Sequence, residues 1–244
     1  MPEPAGKRLV WDETGKKIYE SGVDRGVLYP ESAGTYPLGV VWNGLTAVNE
    51  KSSGAESNPQ WADNIKYLDL YSNEEFAATI EAFTYPDEFA ECDGSKEVIP
   101  GVFAGAQRRK PFGFSYRSKI GNDTEDLDYG YNVHVVYGCK AGPSEKNRNT
   151  TNDSPEAMTF SWEVTTTPVE VVGHKEIKPT AHLKFNSIKI GEAGMAALEN
   201  VLYGSAEANA KLPLPKELID IVQKAAAAAA EAKAKPETAD VTVG

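Results

Sequence analysis

Met158–Val171 reads MTFSWEVTTTPVEV, and its first eight residues sort into two rows. Met158, Phe160, Trp162 and Val164 fall on one side of an extended chain; Thr159, Ser161, Glu163 and Thr165 fall on the other. Side chains alternate across a strand with period two, so this is a strand with one face to bury and one to keep wet. Two earlier segments repeat the pattern. In FGFSYRSKI, Phe112, Phe114 and Tyr116 oppose Gly113, Ser115 and Arg117. In YGYNVHVVYG, Tyr131, Val133, Val135 and Tyr137 oppose Asn132, His134 and Val136. Strands of this kind predict an antiparallel sheet with one face on a core.

Outward from these segments the chain keeps a β character. RLVWDETGKKIYESG predicts a hairpin, with runs Arg8–Trp11 and Lys16–Glu20 around DETG. KSSGAESNPQ reads as a loop, and Ile65–Ser72 as a strand. Glu74–Tyr85 is ambiguous by period; its β-branched and aromatic residues and the Tyr85-Pro86 stop favour strand in its second half. Residues 86–111 look loop-rich, and the Lys140–Glu156 connection is unusually long for a loop without a task. AHLKFNSIKI predicts a further strand. GEAGMAALENVLYG predicts a short helix with Met195, Leu198, Val201 and Leu202 as its apolar stripe and Gly204 as its stop. Pro215 opens a second helix with one apolar turn, Leu218, Ile221 and Val222, before an alanine-rich run with high helix propensity and no wide apolar face. PETADVTVG reads as a flexible tail. The expected organisation is an N-terminal arm or hairpin over 1–26, a β domain with a flanking helix over 27–204, and a C-terminal helical extension and tail over 205–244.

Composition narrows the function classes. The chain has 244 residues, 41% apolar and 25% charged, enough for a real core. No apolar run approaches the ~20 residues of a membrane helix, and MPEPAGKRLVWDETG lacks the apolar centre of a secretory signal. Synthesis in the cytosol, with Cys92 and Cys139 as reduced thiols, is the expectation. A formal net charge of −11 argues against a protein that grips nucleic acid by its phosphates, though not against a surface that nucleic acid must pass without sticking.

No residue pattern demands catalysis. NDTEDLD, Asn122–Asp128, offers oxygen ligands at near-alternate positions but lacks the fixed glycine and closing glutamate of a calcium loop, and reads better as a solvated acidic turn. His134, His174 and His182 show no ligand spacing, so no metal is expected. ECDG surrounds Cys92 with acids, which raise a thiol pKa, the wrong direction for a nucleophile. GxSxG, Walker and GxGxxG patterns are lacking, and no cofactor or catalytic residue is assigned. QRRK, Gln107–Lys110, is too short for a nucleic-acid footprint.

Several longer blocks carry a resemblance: ESGVDRGVLYP, VVWNGLTAVNEKSSGAE, ADNIKYLDL, EEFAATIEAFTYPDEFAECDG, FGFSYRSKIGND, GYNVHVVYG, PSEK and NDSPEAMTFSWEVTTTPVEV. In order and character they resemble the major tail proteins, the tail tube subunits, of long-tailed (siphovirus-type) bacteriophages. The resemblance runs from about Glu20 to Val171, with a looser match to LPLPKELI. It implies a mainly β fold, an antiparallel β-sandwich or partial barrel with a flanking α-helix and a C-terminal helical extension. It further implies hexameric rings that stack into a hollow tube through which viral double-stranded DNA passes, without sequence-specific binding. The implied partners are further copies of the chain, the tape measure protein, the tail terminator and the distal tail protein. The implied location is the virion tail, assembled in the host bacterial cytoplasm.

Placed on such a tube, the polar rows become lumen candidates: Thr79, Glu81, Ser115, Arg117, Lys119, Asn132, His134, Thr159, Ser161, Glu163 and Thr165. Arg117 and Lys119 are expected to pair with Glu81 or Glu163, leaving a neutral or acidic wall. Contacts between rings are expected from Trp11, Tyr19 and Asp24 in the N-terminal segment and from Ser144, Glu145, Lys146, Arg148 and Asn152 in the long loop, with weaker candidates around Ala55–Asp63 and Pro86–Gly105. The alternative is a monomeric carbohydrate-binding β-sandwich with Trp61, Trp162 or Tyr131 as its platform. A β-rich hydrolase using Glu81 and Glu163 is a third reading.

Overall fold

The alternation in MTFSWEVTTT holds over Phe160–Thr165 in the computed structural model, which describes residues 8–151, 153, 156–173 and 176–234; Met158, expected in the buried row, precedes the strand and is 40% exposed. In chain order the elements are β1 (Tyr19–Pro30), β2 (Val40–Trp42), β3 (Leu45–Ser53), β4 (Ser57–Ala62), β5 (Ile65–Tyr71) and β6 (Glu75–Ala82). The short α1 (Phe89–Cys92) and the β7 (Lys96–Ile99) and β8 (Val102–Ala104) hairpin follow. Then come β9 (Phe112–Asn122), β10 (Asp126–Ala141), β11 (Phe160–Thr165) and β12 (His182–Asn186), and finally α2 (Ser187–Ile190), α3 (Glu192–Leu202) and α4 (Pro215–Ala234).

The protein is mainly β. Its principal sheet is antiparallel, ordered β2-β1-β9-β10-β11-β6-β3, with β12 on β10, and it does not close into a barrel. β10 is the member that makes the order possible. Asn132–Val136 pair with β12, whereas Lys140 and Ala141 pair with β11. Between the two, the register against β9 slips and Gly138 adopts φ +61°, a left-handed conformation that costs an L side chain about 1–3 kcal/mol. The bulge turns the strand, and the sheet curls into two halves that face each other.

The first core fills that curl. Leu28, Trp42, Phe112, Phe114, Trp162 and Ile80 are among its buried side chains, with Phe89 of α1 inserted from the end. Trp42 contacts Phe89, Phe114 and Trp162 at ring-centroid distances of 4.5, 5.5 and 5.6 Å, mostly edge-to-face, the arrangement ring quadrupoles prefer. A second core lies on the opposite face of β1, β9 and β10, where Tyr29, Val133, Val135 and Tyr137 receive Met195, Leu198 and Leu202 of α3 and Leu218 and Val222 of α4. Most of the apolar stripe read in each helix docks; Val201 and Ile221 are only partly buried and stand outside the second core.

Because β9 and β10 are covered on both faces, alternation there does not separate inside from outside. Ser115, Asn132 and His134, expected on a wet wall, are buried in the chain at 0%, 0% and 3% exposure. Ser115 lies within 3.2 Å of the Tyr29 hydroxyl beneath the helices, and the other two face the first-core side. Residues 8–11 form no strand, so the expected N-terminal hairpin is replaced by a turn whose Gly15 and Lys17 amides donate to Asp123 Oδ1. β1 runs through the expected boundary at residue 26, and the first turns of α4 belong to the second core. KSSGAESNPQ is largely strand rather than loop: β3 and β6 continue past a kink at Gly54 into the β4–β5 ribbon, which turns at Asp63 and Asn64, both at positive φ as a type I′ hairpin requires. The segment Lys96–Ala104, inside the stretch read as loop-rich, is also a hairpin. PETADVTVG lies outside the described residues.

A Cβ built on Gly138 would come within 2.4 Å of the Thr167 carbonyl oxygen, which the backbone cannot easily withdraw. Gly138→Ala is therefore expected to lower unfolding stability by about 2–4 kcal/mol, read as a shift of the urea midpoint. A loss below roughly 0.5 kcal/mol would show that the two half-sheets do not need the bulge.

Candidate functional site

The outer face of the β3-β6-β11 half is the polar surface that the opening stretch predicts. Thr79 is opposite Glu163, Glu81 opposite Ser161, and Ala77 opposite Thr165. On the other flank Asn49 is opposite Thr79 and Lys51 opposite Ala77. Paired residues share a face, so these side chains form one patch of small polar groups with one lysine against two glutamates. Glu81 Oε1 accepts from Asn49 Nδ2 at 3.3 Å. Five candidates, Thr79, Glu81, Ser161, Glu163 and Thr165, are thus brought together, and Thr159 lies exposed just before β11.

Arg117 and Lys119 are not part of this patch. β9 is flanked by β1 and β10, so Arg117 meets Asp24 of β1 rather than Glu81 or Glu163, with Nε and Nη2 donating to the two carboxylate oxygens at 2.6 and 2.5 Å. The guanidinium also lies 5.0 Å over the Tyr131 ring. Arg117 holds the Asp24 carboxyl below its ordinary pKa, and Asp24 in turn raises that of Arg117. Lys119 is paired with Tyr131 across β9 and β10.

Asn132 and His134 instead join a polar network at the open end of the first core. β12 places His182, Lys184 and Asn186 opposite Val136, His134 and Asn132. Asn186 Nδ2 donates to Asn132 Oδ1 at 2.9 Å, and Asn132 Nδ2 and Lys184 Nζ both donate to Glu20 Oε1 at 2.7 Å. His134 Nε2 lies 3.0 Å from Ser118 Oγ, which donates to Glu20 Oε2 at 3.3 Å. On the other side of the ring, His134 Nδ1 lies 3.1 Å from His182 Nε2 and 3.3 Å from Glu50 Oε1. The Tyr116 hydroxyl donates to the same Glu50 oxygen at 2.6 Å. Burial pushes the His134 imidazole down to about 4 and lowers His182 as well, so both rings are neutral near pH 7.

No spacing in the sequence announces this cluster, since His134 and His182 are 48 residues apart. The available signal was the second polar row, His182, Lys184 and Asn186, whose register against Asn132 and His134 only the fold supplies.

The ring-contact candidates divide similarly. Trp11 and Tyr19 are 74% and 45% exposed. Asp24 is committed to Arg117. Lys146 pairs with Asp93 beside α1 and lies 5.3 Å over the Tyr85 ring, pinning the start of the long loop to its own chain. Ser144 Oγ is buried, Glu145 and Arg148 are exposed, and Asn152 lies outside the described residues. Among the described residues, several exposed apolar side chains cluster on two hairpins elsewhere. The β4–β5 ribbon carries Trp61, Ile65, Tyr67, Leu70 and Tyr71, each more than half exposed, and the β7–β8 hairpin carries Val98, Ile99, Val102 and Phe103. Of the three residues expected for a sugar platform, Trp162 is fully buried and Tyr131 is covered by Arg117, whereas Trp61 is 69% exposed on the β4–β5 ribbon.

No family model and no curated protein matches the chain. Among solved structures, a chain of the anti-feeding prophage (AFP) baseplate, determined by cryo-EM and six-fold symmetrised, is similar at a TM-score of 0.34 and 7% identity, covering 76% of this chain and 97% of that one.

The Asp24–Arg117 pair sets a pH dependence. A carboxyl whose folded pKa is depressed contributes stability in full above its unfolded value, about 3.9, and loses it as pH falls through the folded value. The stability difference between wild type and Asp24→Asn, followed by urea midpoints along an acid titration, is expected to be constant near neutrality and to shrink below about pH 4. A difference independent of pH would assign the pair no electrostatic role.

Proposed function

We propose that the chain is a structural subunit of a bacteriophage tail tube, in which six copies form a ring and rings stack into a conduit for viral DNA. One observation carries the reading beyond the sequence resemblance: the β4–β5 ribbon. An isolated two-stranded ribbon is at best marginally stable in water, and this one presents apolar side chains with no core of its own beneath them. Burying a large apolar side chain is worth on the order of 1.5–3 kcal/mol, so a neighbouring copy that covers the ribbon would gain several such contributions. The β7–β8 hairpin and the N-terminal segment, with Leu9, Val10 and Trp11 all exposed, pose the same demand in other directions.

The edges of the sheet support the same reading. β2 and β3 end an open sheet, and an uncovered edge invites pairing with another chain. Ring closure would satisfy those edges across subunits, as barrel closure does within one chain. In such a ring we assign the Thr79, Glu81, Ser161, Glu163 and Thr165 patch to the lumen. One lysine against two glutamates gives DNA phosphates no row of cations to condense on, so passage is not retarded by binding. The ribbon, the β7–β8 hairpin and the N-terminal segment are assigned to contacts between copies. Glu145 and Arg148 on the long loop remain available for the same use.

Electron micrographs of the purified full chain are expected to show rings or tubes. The Trp61→Glu, Tyr67→Glu double variant is expected to remain folded, with a urea midpoint within about 0.5 kcal/mol of wild type because neither residue is in a core, and to lose stacked tubes. Wild-type protein that stays monomeric across salt and concentration, or a double variant that assembles normally, would overturn the proposal.

A further inference from the structure

We propose that Glu50, His134 and His182 bind a divalent transition-metal ion of the zinc class, which staples the two halves of the curled sheet at the open end of the first core. The three residues come from different elements. Glu50 is on β3 in one half-sheet; His134 and His182 are on β10 and β12 in the other.

The hydrogen-bond chain sets the chemistry of the central ring. Glu20 is a carboxylate and accepts only; Ser118 Oγ donates to it and therefore accepts from His134 Nε2–H. That leaves a lone pair on His134 Nδ1, directed at Glu50 Oε1 3.3 Å away, itself an acceptor. Without an ion, a proton on His182 Nε2 satisfies that lone pair and the Tyr116 hydroxyl satisfies Glu50; a cation would take the place of the His182 Nε2 proton and draw both acceptors onto itself. His182 Nε2, at 3.1 Å, is the third atom of the convergence.

The spacing suits a metal. With zinc–nitrogen and zinc–oxygen bonds of about 2.0–2.2 Å, neighbouring ligand atoms of a tetrahedral site lie about 3.3 Å apart. Two of the three edges are already near that length, and all three ligand atoms fall within 4.8 Å of one another. Glu50 is the adjustable member: its side chain is 42% exposed, against 4% for His134, so a small rotation closes the third edge and leaves a solvent-facing position for a fourth ligand. Two imidazoles and one carboxylate favour zinc, nickel or copper over calcium or magnesium.

The surroundings hold the ligands in place. His134 stacks on Tyr116 at 4.6 Å with an interplanar angle of 4°, and His182 stacks on Phe76 at 4.6 Å. Ser118 on the far nitrogen of His134 and Tyr116 on Glu50 are the outer partners that orient metal ligands elsewhere. The nearby cation, Lys184, is neutralised by Glu20 at 2.7 Å.

The test uses the full chain stripped with a chelator and titrated with Zn²⁺ by calorimetry and with Co²⁺ by visible absorption. One ion per chain is expected, with the intense visible bands of four-coordinate cobalt and a higher melting temperature in Zn²⁺. Glu50→Gln and His182→Asn are each expected to weaken binding at least tenfold and to abolish the melting shift, and Ser118→Ala to weaken it about 10–100-fold through loss of ring orientation. Glu50→Gln keeps the shape of a partly exposed side chain, so its folded state can be verified by circular dichroism. Failure of the wild-type chain to take up one equivalent, or equal uptake by Glu50→Gln and His182→Asn, would overturn the assignment.

Discussion

One strand must belong to two sheets, and the rest of the structure depends on how it does so. β10 is long enough to pair with β12 and then β11, but a flat strand would carry both partners in one plane and leave the aromatic core uncovered. The bulge at Gly138 supplies the turn. Once the sheet curls, Trp42, Phe114 and Trp162 can pack against one another from opposite halves, and the reverse face of β9 and β10 becomes a platform for α3 and α4. The curl also leaves the sheet open: its first and last strands, β2 and β3, are separated in the chain only by Asn43 and Gly44 but are not hydrogen-bonded to each other.

That geometry explains which parts of the fold were legible in sequence. MTFSWEVTTT was read correctly because β11 is covered on one face and wet on the other, the situation in which period two reports burial directly. FGFSYRSKI and YGYNVHVVYG show a similar alternation, but helices cover the small and polar row of one and the apolar row of the other. Ser115 fits under Tyr29 because it is small and bonded, and Asn132 fits because Glu20 and Asn186 satisfy it. A buried polar row with partners and an exposed one look the same in a sequence. KSSGAESNPQ was misread for the opposite reason: a ribbon that packs on nothing in its own chain carries no burial pattern, and its polar first strand resembles a loop. The histidine cluster was invisible because its members meet only through the β10–β12 register and the curl that brings β3 across.

The distribution of apolar surface is uneven in a way that a self-sufficient domain does not require. Both cores are well filled, yet Trp11, Trp61, Tyr67, Tyr71 and Phe103 project from them. Single exposed apolar residues are ordinary, whereas on β5 Ile65, Tyr67 and Tyr71 recur along one face and Leu68 and Leu70 along the other, leaving both faces of the ribbon with uncovered apolar area. The stability of the chain therefore resides in the curl and the helices, and the ribbon contributes little to it. That separation would let the projecting elements serve the proposed association without making folding depend on it.

In the proposed role, a subunit of a conduit would face two mechanical demands that pull its design apart. Its inner surface must hold no cation row that would trap phosphate, so few strong interactions can be placed there to resist opening of the curl. If it lines a conduit as proposed, the Thr79, Glu81, Ser161 and Glu163 patch would meet the first demand with uncharged or acidic side chains. Resistance to opening must then come from the other side of β3, where Glu50 points inward while Asn49 and Lys51 point outward. Alternation along this one strand separates the two tasks: one row is left weakly interacting, and the other carries the carboxylate that reaches across to β10 and β12. A metal at that point would close the curl where neither the bulge at Gly138 nor the aromatic core constrains it, without adding a positive side chain to the outer face.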